Sequence, residues 1–100
     1  MQIAITSPAV LGLLVRAVRR SSGVRIDDLA AFARVSKQFA ADVEYGKSTV
    51  RLGLVLKLLA ELGIPMILEI PAAAQQEMVA LRLKQAQRQA QKQAPNPAKD

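Results

Sequence analysis

The sequence predicts an all-α fold: four to five short helices in a compact domain, one short C-terminal strand, and a helical basic tail. Three observations carry this. Just over half of the 100 residues are apolar, yet aromatics make up 3% and Trp is absent, so the core is built from Leu, Val, Ile and Ala, as in packed short helices. Apolar positions recur at three- and four-residue spacing in successive windows. Cap and turn residues punctuate those windows at Ser7, Gly23, Ser36, Gly46 and Gly63.

Gln2–Thr6 alternates, with Ile3 and Ile5 on one side, and reads as a short strand or an ordered arm. Ser7-Pro8 starts the first helix with a hydroxyl cap and a proline at the first helical position. That helix runs to about Ser22 and stops at Gly23; Leu11, Leu14, Val15 and Val18 form its core stripe. Arg16, Arg19 and Arg20 occupy its last turns, where cations suit the helix dipole. Asp27 and Asp28 open a second helix at the positive end of its dipole, with Leu29, Ala30, Phe32 and Ala33 as its apolar side. After Arg34-Val35, Ser36 caps a third helix that ends near Tyr45-Gly46.

A fourth helix spans roughly Leu52 to Leu62, with Leu52, Val55, Leu56, Leu59 and Leu62 inward and Gly63 as its stop. Met66, Ile67, Leu68, Glu69 and Ile70, bracketed by Pro65 and Pro71, read as one strand. A lone strand leaves its backbone groups unpaired. Its partner is either the same strand in a second copy or the Ile3–Ile5 arm. Composition changes at Pro71, which divides the chain into a domain over residues 1–71 and an Ala/Gln/Lys-rich tail over 72–100. The tail consists of good helix formers and is expected to start as a helix, fray, and end disordered over residues 95–100.

Composition also excludes. There is no Cys, so neither a disulfide nor a thiolate metal site is possible, and no His, which removes the commonest general base and metal ligand. The acids sit at predicted helix ends, where capping explains them, and no glycine-rich phosphate loop is present. No enzymatic activity, catalytic residue, metal or cofactor is therefore expected. The net charge of +6 favours a polyanion partner, nucleic acid ahead of membrane. No apolar run approaches the ~20 residues of a membrane span. The start, MQIAITSPAV, lacks the layout of a signal peptide, and the expected location is cytoplasmic.

Residues 35–52, VSKQFAADVEYGKSTVRL, carry the strongest functional signal. A capped helix bearing Lys37, Gln38 and Asp42 on one side runs into the turn Gly46-Lys47. The second helix of a helix-turn-helix that ends in a phosphate-contacting loop reads this way.

From Leu11 to Ile64 the chain resembles the lambda-repressor-like helix-turn-helix family through LGLLVRAVRR, Gly23, DDLA, VS at 35–36 and EYGK at 44–47. Within it, GKSTVRLGLVLKLLAELGI running into PMILEI looks like the HipB-type antitoxins that partner HipA-type kinase toxins. The resemblance implies a structural ion pair between Arg19 and Glu44, tying the first helix to the end of the third. It places Lys37, Gln38, Ala41 and Asp42 where base contacts are made. Lys can donate to guanine, Gln can pair with adenine, Ala can meet a thymine methyl, and Asp can accept from cytosine. It places Arg25, Ser36, Lys47, Ser48, Thr49 and Arg51 among phosphate contacts, with the fourth helix's N-terminus nearby. A solvated helix face and a solvated loop are the alternatives for these two groups.

The second helix departs from the family. A small hydroxyl cap and a phosphate-touching Gln are usual there, where this chain has Arg25 and Ile26. Either Ile26 packs against a sugar or a neighbour, or one contact is lost. Phe39 is large for an outward position, and the core is its alternative.

The function the resemblance implies is a homodimeric repressor and antitoxin. Two copies would join through residues 66–70, bind a palindromic double-stranded operator with half-sites ~10 bp apart or a multiple, and hold a HipA-type kinase toxin. A stand-alone transcriptional regulator, or a protein-interaction module without a toxin partner, is the competing reading. A basic membrane-surface helix in the tail is disfavoured, because its apolar face covers only about two turns.

Overall fold

The computed structural model describes residues 1–93, so the disordered end expected for residues 95–100 lies outside the described residues. Five α-helices follow one another: α1 Pro8–Ser21, α2 Ile26–Ala33, α3 Lys37–Glu44, α4 Leu52–Glu61 and α5 Gln75–Gln93, with a single 3-10 turn at Ala72–Ala74. The chain divides into two units, Met1–Met66 with α1 to α4, and the segment from Ile67 onward with α5.

In the first unit local signals set most of the helix ends. The Ser7 Oγ accepts from the Val10 N–H at 3.2 Å and Pro8 fills the first helical position. Ser22 closes α1, and Gly23 turns the chain at φ +70°. The second helix begins one residue earlier than its carboxylates suggest. Arg25 is its cap residue, and Asp27 and Asp28 lie in its first turn. Ser36 caps α3 by accepting from the Phe39 N–H at 2.9 Å.

The core gathers Val15 of α1, Leu29 and Ala30 of α2, Ala40 and Val43 of α3, and Val55, Leu58 and Leu59 of α4. Burying each of the larger aliphatics contributes roughly 1.5–3 kcal/mol. Leu11, Val24, Ile26, Val35, Phe39 and Ile64 seal its edge. Phe39 and Ile26 thus pack on the core.

Three apolar expectations are corrected. Phe32 is 67% exposed on α2, while Leu29, Ala30 and Ala33 of the same expected side are buried. On α4, Leu52 and Leu56 are exposed and Leu58 is fully buried. Apolar residues surround α4 so completely that two phases of the same three-and-four spacing are available, and contact with α2 selects the one through Leu58. Leu52 instead lines an open apolar groove of about 320 Å³ with Ile5, Leu11 and Val50.

The strand expected over residues 66–70 is not formed in the single chain. Residues 64–71 carry no regular structure, and neither do residues 1–6, the alternative partner. A strand needs a ladder partner, and one copy of the chain supplies none among the described residues. In the second unit α5 is a continuous helix of 19 residues, exposed over residues 75–92. No helix among the described residues is long and apolar enough to cross a membrane.

Candidate nucleic-acid interface

The α2–α3 connection is a tight turn. Arg34 takes the left-handed conformation at φ 59°, ψ 44°, and Ser36 returns to extended backbone before α3. The Val35 N–H donates to the Ala30 carbonyl at 3.0 Å, closing the end of α2. The sequence marks Arg34-Val35 as the connection, but nothing in Ala-Arg-Val-Ser marks a left-handed arginine.

From this turn α3 buries Ala40, Val43 and Glu44 and turns Lys37 and Gln38 to solvent, with Ala41 and Asp42 half-buried one turn further on. The four residues expected to meet bases therefore share the outer face. They are not four independent groups. The Gln38 Nε2 donates to Asp42 Oδ1 at 2.8 Å, and the Lys47 ammonium lies 3.6 Å from Asp42 Oδ2. The Lys47 N–H also donates to the Asp42 carbonyl at 3.0 Å. Asp42 thus holds the Gln38 amide in one orientation, while Lys47 offsets a carboxylate that would otherwise repel phosphate.

The inner end of α3 is anchored to α1. Glu44 is 5% exposed and takes a two-pronged grip from Arg19, Nε to Oε2 at 2.6 Å and Nη2 to Oε1 at 2.9 Å. The third arginine nitrogen, Nη1, donates to the Val24 carbonyl at 3.0 Å. One guanidinium therefore joins α1, the α1–α2 turn and α3. Its hydrogen bond to Glu44 and, secondarily, the carboxylate's charge raise the Arg19 pKa against desolvation. Arg16 is a further member, with Nε 3.5 Å from Glu44 Oε1 and its guanidinium 5.4 Å over the Tyr45 ring. The signal for Arg16 was its three-residue spacing from Arg19.

Glycine sets how closely these helices approach. A Cβ on Gly12 would stand 2.4 Å from the Glu44 carbonyl oxygen and 2.6 Å from that of Val43. Gly46, at φ +81°, abuts Ala9 in the same way.

Lys47, Ser48 and Thr49 are exposed in the loop after Gly46, and Arg51 is the exposed cap residue of α4. No side chain caps α4, so the N–H groups of its first turn have no side-chain partner next to the exposed Arg51. Arg25 is exposed too, but Asp27 engages it, with Nε to Oδ1 at 3.1 Å and Nη2 to Oδ2 at 3.2 Å. Desolvation pushes the Asp27 carboxyl up, but the Arg25 hydrogen bonds and charge, with the Asp27 and Asp28 amides, outweigh it and hold the carboxyl below its ordinary value. Ser36 lends its Oγ to the cap. Met66, Ile67, Leu68, Glu69 and Ile70 are exposed in a segment without regular structure.

The chain is 46% identical over 59 residues to the "uncharacterized HTH-type transcriptional regulator y4mF" of Sinorhizobium fredii, a stretch covering 59% of this chain and 78% of that protein. No family model matches. Among solved structures it matches a chain of a "HipA-HipB-O2-O3 complex" and one of a "HipB-O4 20mer complex", each with TM-score 0.64, 23% identity, and coverage of 69% of this chain and 97% of the other. At that identity the likeness establishes the fold, which is that of HipB.

Proposed function

The chain belongs to the HTH-type transcriptional regulators, and on that premise we propose that it binds an operator as a homodimeric repressor and serves as the antitoxin of a HipA-type kinase toxin. The observation that carries the DNA-binding part is the outer face of α3. Lys37 and Gln38 are presented on a helix that Arg19 and Glu44 fix from behind, with Lys47, Ser48, Thr49, Arg51 and the open α4 terminus flanking it. Lys37 and Gln38 read base edges. Ala41 and Asp42 complete that face, and Arg25, Ser36 and the loop hold the backbone. Ile26 and Phe39 pack partly against the core, which lessens the apolar surface that the recognition helix and its neighbour would offer a protein partner.

The irregular 66–70 segment exposes Ile67, Leu68 and Ile70 with no ladder partner among the described residues of its own chain, which supports pairing with the same segment of a second copy. The operator is then a palindrome whose half-sites lie ~10 bp apart or a multiple. The antitoxin role draws on the HipB-like fold and requires a HipA-type kinase encoded nearby. The protein acts in the cytoplasm, as a binding protein with no catalytic step of its own.

The test is a titration of the chain's own upstream DNA and a scrambled duplex at two salt concentrations, with wild type and Lys37→Ala/Gln38→Ala. The wild type prefers the upstream DNA and weakens steeply with salt. The variant keeps general affinity but loses the preference, by ~1–3 kcal/mol per base contact. Equal binding of both duplexes by the wild type would sink the operator reading. Failure of the neighbouring kinase to co-purify would remove the antitoxin role and leave a stand-alone regulator.

A further inference from the structure

The second unit carries a cationic feature that the α3 face does not use. On α5, Lys84, Arg88 and Lys92 recur at four-residue spacing and so line one side of the helix, each about 6 Å along the axis from the next. Arg82 is a fourth cation on the same helix, but at two-residue spacing from Lys84 it lies away from this row. Between Met78 and Lys99 the sequence has no acidic residue. The opposite side carries Val79 and Leu83 and then only Ala86 and Ala90, and Leu81 precedes the cations on their own side, so the large apolar residues end where the cations begin. A helix pairing with a second copy of itself needs either a sustained apolar seam or charges of both signs, and α5 has neither past Leu83. A membrane-surface helix also needs an apolar face along its length. A row of exposed cations at regular spacing, with Gln between them, instead complements a polyanion of regular charge spacing.

We propose that α5 is a second DNA-binding element, in which Lys84, Arg88 and Lys92 contact backbone phosphates without reading sequence. It adds affinity for any duplex and leaves the choice of operator to α3. This rests on the reading of the chain as a DNA-binding regulator, and the two are separable by experiment.

The full-length chain is compared with Lys84→Gln/Arg88→Gln/Lys92→Gln, which removes the charges but keeps good helix formers; circular dichroism confirms unchanged helicity. A second variant, Lys84→Arg/Lys92→Arg, keeps the charge. Affinity for the upstream duplex and a scrambled duplex is measured across a salt series. Each phosphate contact contributes about 0.9 to the slope of log K against log salt, so the Gln variant loses about 2.7 per bound protomer on both duplexes. The ratio between duplexes stays constant, and the Arg variant keeps the wild-type slope. An unchanged slope in the Gln variant overturns the proposal. So does a loss of binding confined to vesicles of anionic phospholipid, which would assign α5 to a membrane surface. If the wild type binds both duplexes equally and the Gln variant still loses slope, the operator reading fails while the α5 element stands. If the wild type binds no DNA at low salt, both fail.

Discussion

The α-carbon of Gly12 in α1 faces the carbonyl oxygen of Glu44 so closely that a methyl group there would stand 2.4 Å from it. The residue that anchors α3 thus also limits how near α1 can come, through its backbone. Packing, ion pair and presentation of the outer face meet at one crossing.

Gly12→Ala is expected to destabilise in spite of better helix propensity. Ala gains about 0.8–1 kcal/mol over Gly inside a helix. Against this stand two carbonyl oxygens that no rotamer change can move, and forced separation of packed helices costs ~1–3 kcal/mol or more. Gly53→Ala is the control, since nothing lies within 4 Å of its added carbon. It should raise stability by about 0.5–1 kcal/mol. Urea midpoints that move in opposite directions at constant slope check the pair of predictions.

Glu44→Ala should cost roughly 3–5 kcal/mol, because it leaves Arg19 in a largely buried site with the Val24 carbonyl as its remaining partner. The double substitution Arg19→Met/Glu44→Leu should cost clearly less than the sum of its singles, since removing both charges also removes their desolvation. A raised arginine pKa gives stability that is present below its unfolded value and is lost only when pH rises through the folded one. The Arg19 side of the pair is therefore constant through neutral pH and fails only in strong alkali. A double-mutant cycle by chemical denaturation measures the coupling.

Much of this arrangement was legible in the sequence, for identifiable reasons. Ser7, Gly23, Ser36, Gly46 and Gly63 act locally, so the bounds of α1, α3 and α4 followed within a residue or two. The Arg19–Glu44 geometry joins residues 25 apart and came from family resemblance alone. Burial on α4 was misread because Leu52, Leu56 and Leu58 are chemically alike and only the neighbouring helix chooses among them. The grip of Asp42 on Gln38 and Lys47 was also missed. The four-residue spacing permits the first bond, but only the folded turn brings Lys47 back over α3.

Asp27→Asn is expected to strengthen DNA binding at low salt. Its carboxylate now holds Arg25, and its depressed pKa means that this hold is present above the ordinary carboxylate range and is released only as pH falls through the folded value. The amide removes a charge that repels phosphate and frees the guanidinium. If Arg25 then meets a phosphate, the salt slope steepens by about 0.9. An unchanged slope would show that Arg25 does not reach the backbone.

Asp42→Ala separates two roles for the same carboxylate. As a positioning residue, Asp42 acts through Gln38, and removing it should loosen the amide that pairs with a base. Preference for the operator then narrows by part of the ~1–3 kcal/mol that one good base contact supplies. General affinity should rise, because a negative charge is gone and Lys47 is released toward phosphate. Adding Asp42→Ala to Gln38→Ala should cost little more preference, since Asp42 acts only through the amide already removed. If Asp42 instead accepts directly from a cytosine, the loss is confined to one base pair and the two substitutions add in full. Titration of the single and double variants against operators altered at one base pair at a time distinguishes these outcomes. The 2.8 Å bond from Gln38 favours the first, because the amide is already held by Asp42 before any DNA arrives.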